Sequence, residues 1–213
     1  MTVIDAICSG SGHPLANGKR SGIAKQPLSG AVVIGERGIA SDVQVNRKYH
    51  GFPAMALHQF PFEHHAWLID TFGPLTPLGQ PGGMGENLSA SGLMEETVFI
   101  GDRFRLGSAL IEVTQPRQPC ATIEQHLQTK GVVKAMVAAA RSGWFYRVIE
   151  TGTAEAGDTL QLVERPQTIW SVRRAFAAVY GRRSAAEPEL RELAALPRVS
   201  DRLVRDIAKR AVL

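Results

Sequence analysis

Residues 109–120 read Ala109-Leu110-Ile111-Glu112-Val113-Thr114 and then Gln115-Pro116-Arg117-Gln118-Pro119-Cys120. The first six make a β-branched run that suits a pleated strand. Two prolines follow, each fixing its own φ and removing an N–H donor, so the strand passes into a loop of restricted shape. Outward from this stretch the same pattern recurs. Val3 to Cys8, Ala31 to Ile34, Thr97 to Ile100, Arg147 to Glu150 and Thr159 to Val163 are short runs bounded by Gly, Pro or Asp. Their spacing predicts a closed or folded antiparallel sheet. Two helices are expected between them, one near Glu63–Phe72 and one near Lys130–Arg141, where Val133, Met136, Val137 and Ala140 repeat at helical spacing. The strand-helix alternation of a parallel sheet is missing, so Ser9-Gly10-Ser11-Gly12 reads as a loop and not as a phosphate cradle. The fold class is mostly β, of the α+β kind.

The 213 residues are 44% hydrophobic and 21% charged, with 21 Gly and 12 Pro. That composition excludes disorder, collagen and coiled coil as descriptions of the whole. The longest apolar stretches, such as Val132 to Ala140, are interrupted by Lys134 and fall short of the roughly 20 residues that span a bilayer. No membrane partner is expected, and the N-terminus lacks the pattern of a secretory signal, which points to the cytoplasm.

The net charge of +4 conceals an asymmetry. Residues 1–164 carry 13 Lys and Arg against 15 Asp and Glu, whereas residues 165–213 carry 11 against 5. This shift divides the chain into a sheet domain, residues 1–165, and a basic helical extension, residues 166–213. In the extension, Ile169, Val172, Phe176, Val179 and Tyr180 fall on one helical stripe ending at Gly181. Pro188 opens a second helix, and Ser200 can cap a third carrying Leu203, Val204 and Ile207. Three such helices are too slight to stand alone and should dock on the sheet or on a second copy of the chain, as a homodimer. The pairs Arg173-Arg174, Arg182-Arg183 and Lys209-Arg210 could contact nucleic acid, but the interleaved Glu187, Glu189, Glu192, Asp201 and Asp206 favour a solvated face.

Chemistry concentrates in the loop after the quoted strand. A guanidinium at Arg117 near the thiol of Cys120 favours the thiolate, which is both nucleophile and metal ligand, below its free pKa of about 8.5. The alternative for Cys120 is a plain buried cysteine. Cys8, inside an apolar run, reads as core. Glu86 and Asn87 follow a loop containing Gly79, Gly82, Gly83 and Gly85, whose backbone either approaches a ligand or simply turns into a strand. His58, His64 and His65 lack zinc spacing and read as a partly exposed helix start after Pro61. His50, beside Gly51, is a candidate pocket residue and proton source. Trp144 and Tyr146 read as core, and Arg147 as pairing with a carboxylate or reaching an anionic ligand.

Taken in order, Lys25-Gln26-Pro27, Gly38 to Asp42, His50-Gly51, Gly85-Glu86-Asn87-Leu88, Ile100-Gly101-Asp102, Gln115 to Cys120 and Gly143 to Val148 resemble a MOSC domain, the family named after the C-terminal domain of molybdenum cofactor sulfurase. The likeness is greatest to its YiiM-like bacterial subgroup, which also carries a helical extension. The resemblance implies a MOSC-type β-barrel with peripheral helices around a pocket, with a small C-terminal three-helix segment. It implies a molybdenum cofactor of the molybdopterin type, ligated by Cys120. Arg117, Gly51, Glu86, Asn87 and Arg147 would bind that cofactor, and Cys120 and His50 would serve catalysis. The implied activity is reduction of N-hydroxylated compounds such as hydroxylamino-purines, with a small-molecule substrate and a separate electron-donor reductase. A sulfur carrier loaded on Cys120 by a cysteine desulfurase, and a non-catalytic ligand- or nucleic-acid-binding module, are the alternatives. Where relatives read His-Gly-Gly-Pro-Asp followed by a basic residue, this chain has His50-Gly51-Phe52-Pro53-Ala54-Met55, which makes the pocket drier.

Overall fold

The computed structural model describes residues 2–15, 17–45, 51–182 and 185–211. Nine strands form its main sheet: β1 (Thr2–Val3), β2 (Ala6–Ser9), β3 (Gln26–Pro27), β4 (Leu57–Pro61), β5 (Leu88–Ala90), β6 (Arg103–Leu106), β7 (Ala109–Pro116), β8 (Trp144–Glu150) and β9 (Thr159–Glu164). Their spatial order is β1-β9-β6-β7-β8-β4-β5-β2-β3. Every residue of β7, the quoted run, is buried. A two-residue turn, Gly107-Ser108, joins it to β6, with Leu106 opposite Ala109. Gly107 has φ +55, and a Cβ there would fall 2.1 Å from the Thr153 carbonyl oxygen, so only glycine fits.

The sheet is rolled, and two residues prove it. β1 and β2 lie seven strand spacings apart in the order, which in a flat sheet is about 34 Å. Only Ile4 and Asp5 connect them, a reach of roughly 10 Å. These neighbours bond to opposite walls, Ile4 N to Asp158 O and Asp5 N to Ser89 O, each at 2.9 Å. The pairing is antiparallel except for β4 and β5, which run parallel with Gln59 opposite Leu88.

Helices cover the roll. α1 spans Glu63–Phe72, as the sequence predicts. The second predicted helix is shorter, α3 at Val132–Ala139, and is preceded by an unpredicted α2 at Ala121–Leu127. Phe60, Leu68, Leu78, Met84, Ile123, Val132 and Met136 form the apolar cluster at this end. The predicted strand Thr97 to Ile100 is instead a turn with an isolated bridge from Phe99 to Ser171. Val98 and Ile100 are buried by packing and not by ladder pairing.

The C-terminal segment supplies α4 (Val172–Tyr180), α5 (Glu187–Ala194) and α6 (Asp201–Ala211). Trp170, Val172, Leu190, Leu193, Leu203 and Ile207 join the same core as Phe104, Val113 and Trp144, so these helices dock on the sheet. Ser171 and Ser200 cap α4 and α6 through bonds from Arg174 N and Leu203 N. Arg174 pairs with Glu189, Arg191 with Glu187 and Lys209 with Asp206, so these three cations of the basic tail are engaged by its interleaved carboxylates. No described helix is long and apolar enough to cross a membrane.

Candidate functional site

The loop after β7 opens onto a cavity of about 540 Å³. Its backbone is pinned because Arg117 N donates to Gly143 O at 3.0 Å. Cys120, just before α2, is exposed and lines the cavity, while Cys8 is sealed in β2. Burial pushes the Cys8 thiol up to about 12, so at neutral pH it is an inert core thiol.

Arg117 also lines the cavity, and its Nη1 is shut off from solvent with no hydrogen-bond partner among the described residues. Burial lowers its pKa from the ordinary guanidinium value, and the neighbouring Cys120 and Glu86 work against that shift. Lys25 and Asp42, side chains 9% and 4% exposed, form an ion pair on another wall. Burial lowers the Lys25 pKa, and Asp42 works against that shift. Asp42 also accepts from Gly10 N at 2.8 Å and from Asn87 Nδ2 at 3.0 Å. Asn87 Oδ1 in turn accepts from His58 N at 3.1 Å. This chain of bonds joins the wall carrying Lys25 to β4.

His58 lies on β4 opposite Phe145 and lines the same cavity. Burial, reinforced by the nearby Arg117 charge, drives its imidazole well below the usual range, so the ring is neutral. Its Nδ1 stands 3.2 Å from Gly85 O, which makes Nδ1 the protonated nitrogen.

The structure gathers Arg117, Asn87 and Cys120 around the cavity and sets three other candidates apart from its lining. Glu86 is fully buried, accepting from Gly82 N at 2.7 Å and Met84 N at 2.9 Å, with His65 Nε2 at 3.3 Å. Arg147 lies within 3.2 Å of the Glu112 carboxylate and donates to Arg198 O at 2.5 Å. Gly51 packs against the Gln44 side chain, where a Cβ would sit 2.7 Å from Oε1, and Gln44 does the lining. His50 lies outside the described residues.

One further expectation is corrected, and the glycine loop, left open between two readings, is placed. The three histidines are buried, at 4% (His58), 0% (His64) and 2% (His65), and not partly exposed. His64 meets Glu95 at 2.8 Å, and Glu95 accepts from Ser142 N and Gly143 N, which holds the start of β8. Burial alone would raise the Glu95 carboxyl, but His64 and Gly143 N bring it below its usual value. The glycine loop approaches Lys25: a Cβ on Gly82 would fall 2.6 Å from Lys25 O. Its bare backbone therefore sets the position of a cavity-lining lysine.

The family match falls on this loop and its surroundings: the MOSC domain pattern covers residues 46–161. This chain belongs to the MOSC domain family. It is 36% identical to Protein YiiM of Escherichia coli (strain K12) over 174 residues, 82% of this chain and 77% of that protein. A protein named Reductase from Gibberella moniliformis is 35% identical over 154 residues, 71% of this chain but only 27% of that protein. The crystal structures of YiiM from Geobacillus stearothermophilus and from Escherichia coli superpose with TM-scores of 0.82 and 0.81, at 27% and 28% identity. They cover 99% and 100% of this chain, and 100% and 93% of their own. The likeness to YiiM thus extends through the C-terminal helices, beyond the MOSC pattern itself.

The donor set fits the cofactor that the family implies. Arg117 presents a buried Nη1 that no group among the described residues satisfies, an expensive arrangement unless a ligand accepts from it. Cys120 offers one soft sulfur, suited to a thiolate ligand of molybdenum. Arg117 and Lys25 would hold the anionic part, and Cys120 the metal.

Proposed function

We propose that this protein binds the molybdenum cofactor through Cys120 and reduces N-hydroxylated compounds such as hydroxylamino-purines, with electrons from a separate reductase. The observation that carries this reading is the exposed thiol of Cys120 in the same cavity as Arg117, whose buried Nη1 has no partner among the described residues. When bound, the cofactor supplies the two-electron redox chemistry that such a reduction needs.

The chain's own contribution is placement and charge. Arg117 and Lys25 attract negative charge into a cavity whose protein walls strengthen that attraction. Asp42 and Asn87 fix the Lys25 ammonium in one position. His58 keeps its proton at Nδ1 on the Gly85 carbonyl, so it adds a neutral polar wall and no competing cation. Met55 adds an apolar patch to the lining, which helps exclude water. The likeness to a protein named Reductase supports the direction of the chemistry.

Metal analysis of protein from a cofactor-competent host tests the reading. Molybdenum should approach one per chain in the wild type and be lost in Cys120→Ser. Molybdenum absent from both, or equal in both, overturns it. The exposure of Cys120 also favours a sulfur carrier, which predicts a mass gain of one sulfur on Cys120 after incubation with a cysteine desulfurase and cysteine.

A further inference from the structure

The loop that ends at Cys120 leaves β7 where the ladder has already slipped. Val113 pairs with Tyr146 but Gln115 pairs with Phe145, so Thr114 is an extra residue and the register with β8 shifts just before the loop. Pro116 and Pro119 bring no N–H of their own. The backbone bond that carries the contact onward runs from Arg117 N to Gly143 O at 3.0 Å. The start of the loop is therefore placed by whatever places Gly143.

Gly143 is held by a buried carboxylate that does not line the cavity. Glu95 is 1% exposed, five residues beyond β5, and its Oε1 accepts from both Ser142 N at 2.9 Å and Gly143 N at 2.8 Å. Its own carbonyl accepts from Arg173 N at 2.8 Å, which gives the carboxylate a fixed base. From the other side β4 closes in: Gly143 has φ +71, and a Cβ there would fall 2.1 Å from Gln59 O.

His64, the second residue of α1, orients that carboxylate by donating from Nε2 to Glu95 Oε2 at 2.8 Å. Its ring is fully buried and stands edge-on to Phe60 and Trp67, with centroids 5.3 and 6.1 Å away. Nδ1 has no hydrogen-bond partner among the described residues. A phenylalanine would fill this space without stranding a nitrogen. What the histidine adds is the N–H on Nε2, which keeps the Glu95 carboxylate turned toward Ser142 and Gly143.

We infer that Glu95, oriented by His64, is a positioning residue for Cys120: it fixes the Ser142–Gly143 turn, whose carbonyl fixes Arg117 and so the course of the loop that presents the thiol. Bonds from backbone N–H groups to an ionised carboxylate are stronger than those between neutral groups, which suits Glu95 to this task. Neither residue touches a ligand in the cavity, so both act only through the loop. The inference deepens the proposed function by naming what keeps the thiol in place, and it rests on that reading only for the use of the thiol.

The test compares two substitutions of His64 that a purely structural role would rank in the opposite order. H64F keeps a ring against Phe60 and Trp67 and removes the N–H; H64Q loses the ring and sets an amide N–H toward Glu95. Amide hydrogen exchange of the native full chain should be about tenfold or more faster at Arg117, Ser142 and Gly143 in H64F, while Ile100, whose N–H is bonded to Trp170 O, stays as in the wild type. A nitroxide attached to Cys120 should become more mobile in the same variant; Cys8, its thiol pushed up to about 12, stays unlabelled. H64Q should bring Arg117 exchange back to within about threefold of the wild type and restore the nitroxide line shape. If H64F does not fold, E95Q repeats the comparison, because its amide leaves either His64 or the Ser142–Gly143 turn without an acceptor whichever way it turns. No change at Arg117 beyond that at Ile100, an unmoved nitroxide, or H64Q more disturbed than H64F overturns the inference. These readouts need no metal. A chain that shows them but binds no molybdenum sinks only the proposed function, whereas molybdenum held through Cys120 with Arg117 and the nitroxide unchanged sinks only the role of Glu95.

Discussion

Lys25 and Asp42 form an ion pair that is almost wholly withdrawn from solvent, and Asp42 is also tied to Gly10 N and Asn87. Removing one member leaves a buried charge uncompensated, which typically costs about 3–5 kcal/mol. Asp42→Asn keeps the shape and should fall near the lower end. Its pH dependence has a definite sign. The folded-state pKa of Lys25 is depressed by burial, so between that value and the ordinary lysine value the unfolded chain binds more protons and stability rises with pH. Asp42→Asn removes the group that opposes the depression and widens this window downward. The stability gap between wild type and variant should therefore narrow as pH rises from about 7 to about 10. Urea midpoints across that range measure it, and a gap that widens contradicts the pairing.

The two cysteines should differ sharply in reactivity. In the native protein iodoacetamide should add once, on Cys120, because Cys8 is sealed among core residues and its thiol is pushed up to about 12. Denaturant should expose the second site. Intact-mass and peptide measurements check this, and equal labelling of both thiols in the folded chain would falsify the assignment.

Much of this was readable from sequence because the relevant signals are local. The run at 109–114 announced its strand, Glu63–Phe72 its helix, and Ser200 the cap of α6. The two prolines flanking Arg117 marked the loop that presents Cys120. Other features depend on residues distant in the chain. Arg147 sits beside motif residues, yet its partner Glu112 is across the sheet and Arg198 lies beyond the charge boundary. Glu86 looked like a ligand because it follows glycines, but its oxygens are consumed by Gly82 N and Met84 N. The histidines looked like surface groups because one-dimensional patterning cannot show that Glu95 waits 31 residues away for His64. Arg202 carried no local mark at all, since only the docking of α6 brings it to the cavity.

Arg147 offers a direct separation of stability from ligand binding. Arg147→Met removes an interaction with the buried Glu112 carboxylate and a bond to Arg198 O. Glu112 keeps Arg103 at 2.7 Å and Arg198 at 3.4 Å, and the arginine is partly exposed, so the loss should be modest, about 1–2 kcal/mol. Molybdenum content and protection of Cys120 by phosphate should match the wild type. Loss of either with an unchanged unfolding midpoint returns Arg147 to the ligand site.

Tyr146 and Gln59 test the wall behind the cavity. Tyr146 Oη donates to Gln59 Oε1 at 2.6 Å, both residues are fully buried, and burial pushes the phenol far above its ordinary pKa, so it is a permanent donor. Tyr146→Phe strands the Gln59 oxygen and should destabilise the fold by about 1–3 kcal/mol. Gln59 Nε2 already lacks a partner among the described residues, so in the variant the whole amide becomes a buried polar group without compensation. Replacing it as well, in Gln59→Leu with Tyr146→Phe, removes both unsatisfied atoms and should recover most of the loss. Chemical denaturation of the wild type, both single variants and the double variant gives the coupling. Additive losses would mean that the bond contributes nothing to holding β4 against β8, and that the position of His58, one residue from Gln59, is set by other contacts.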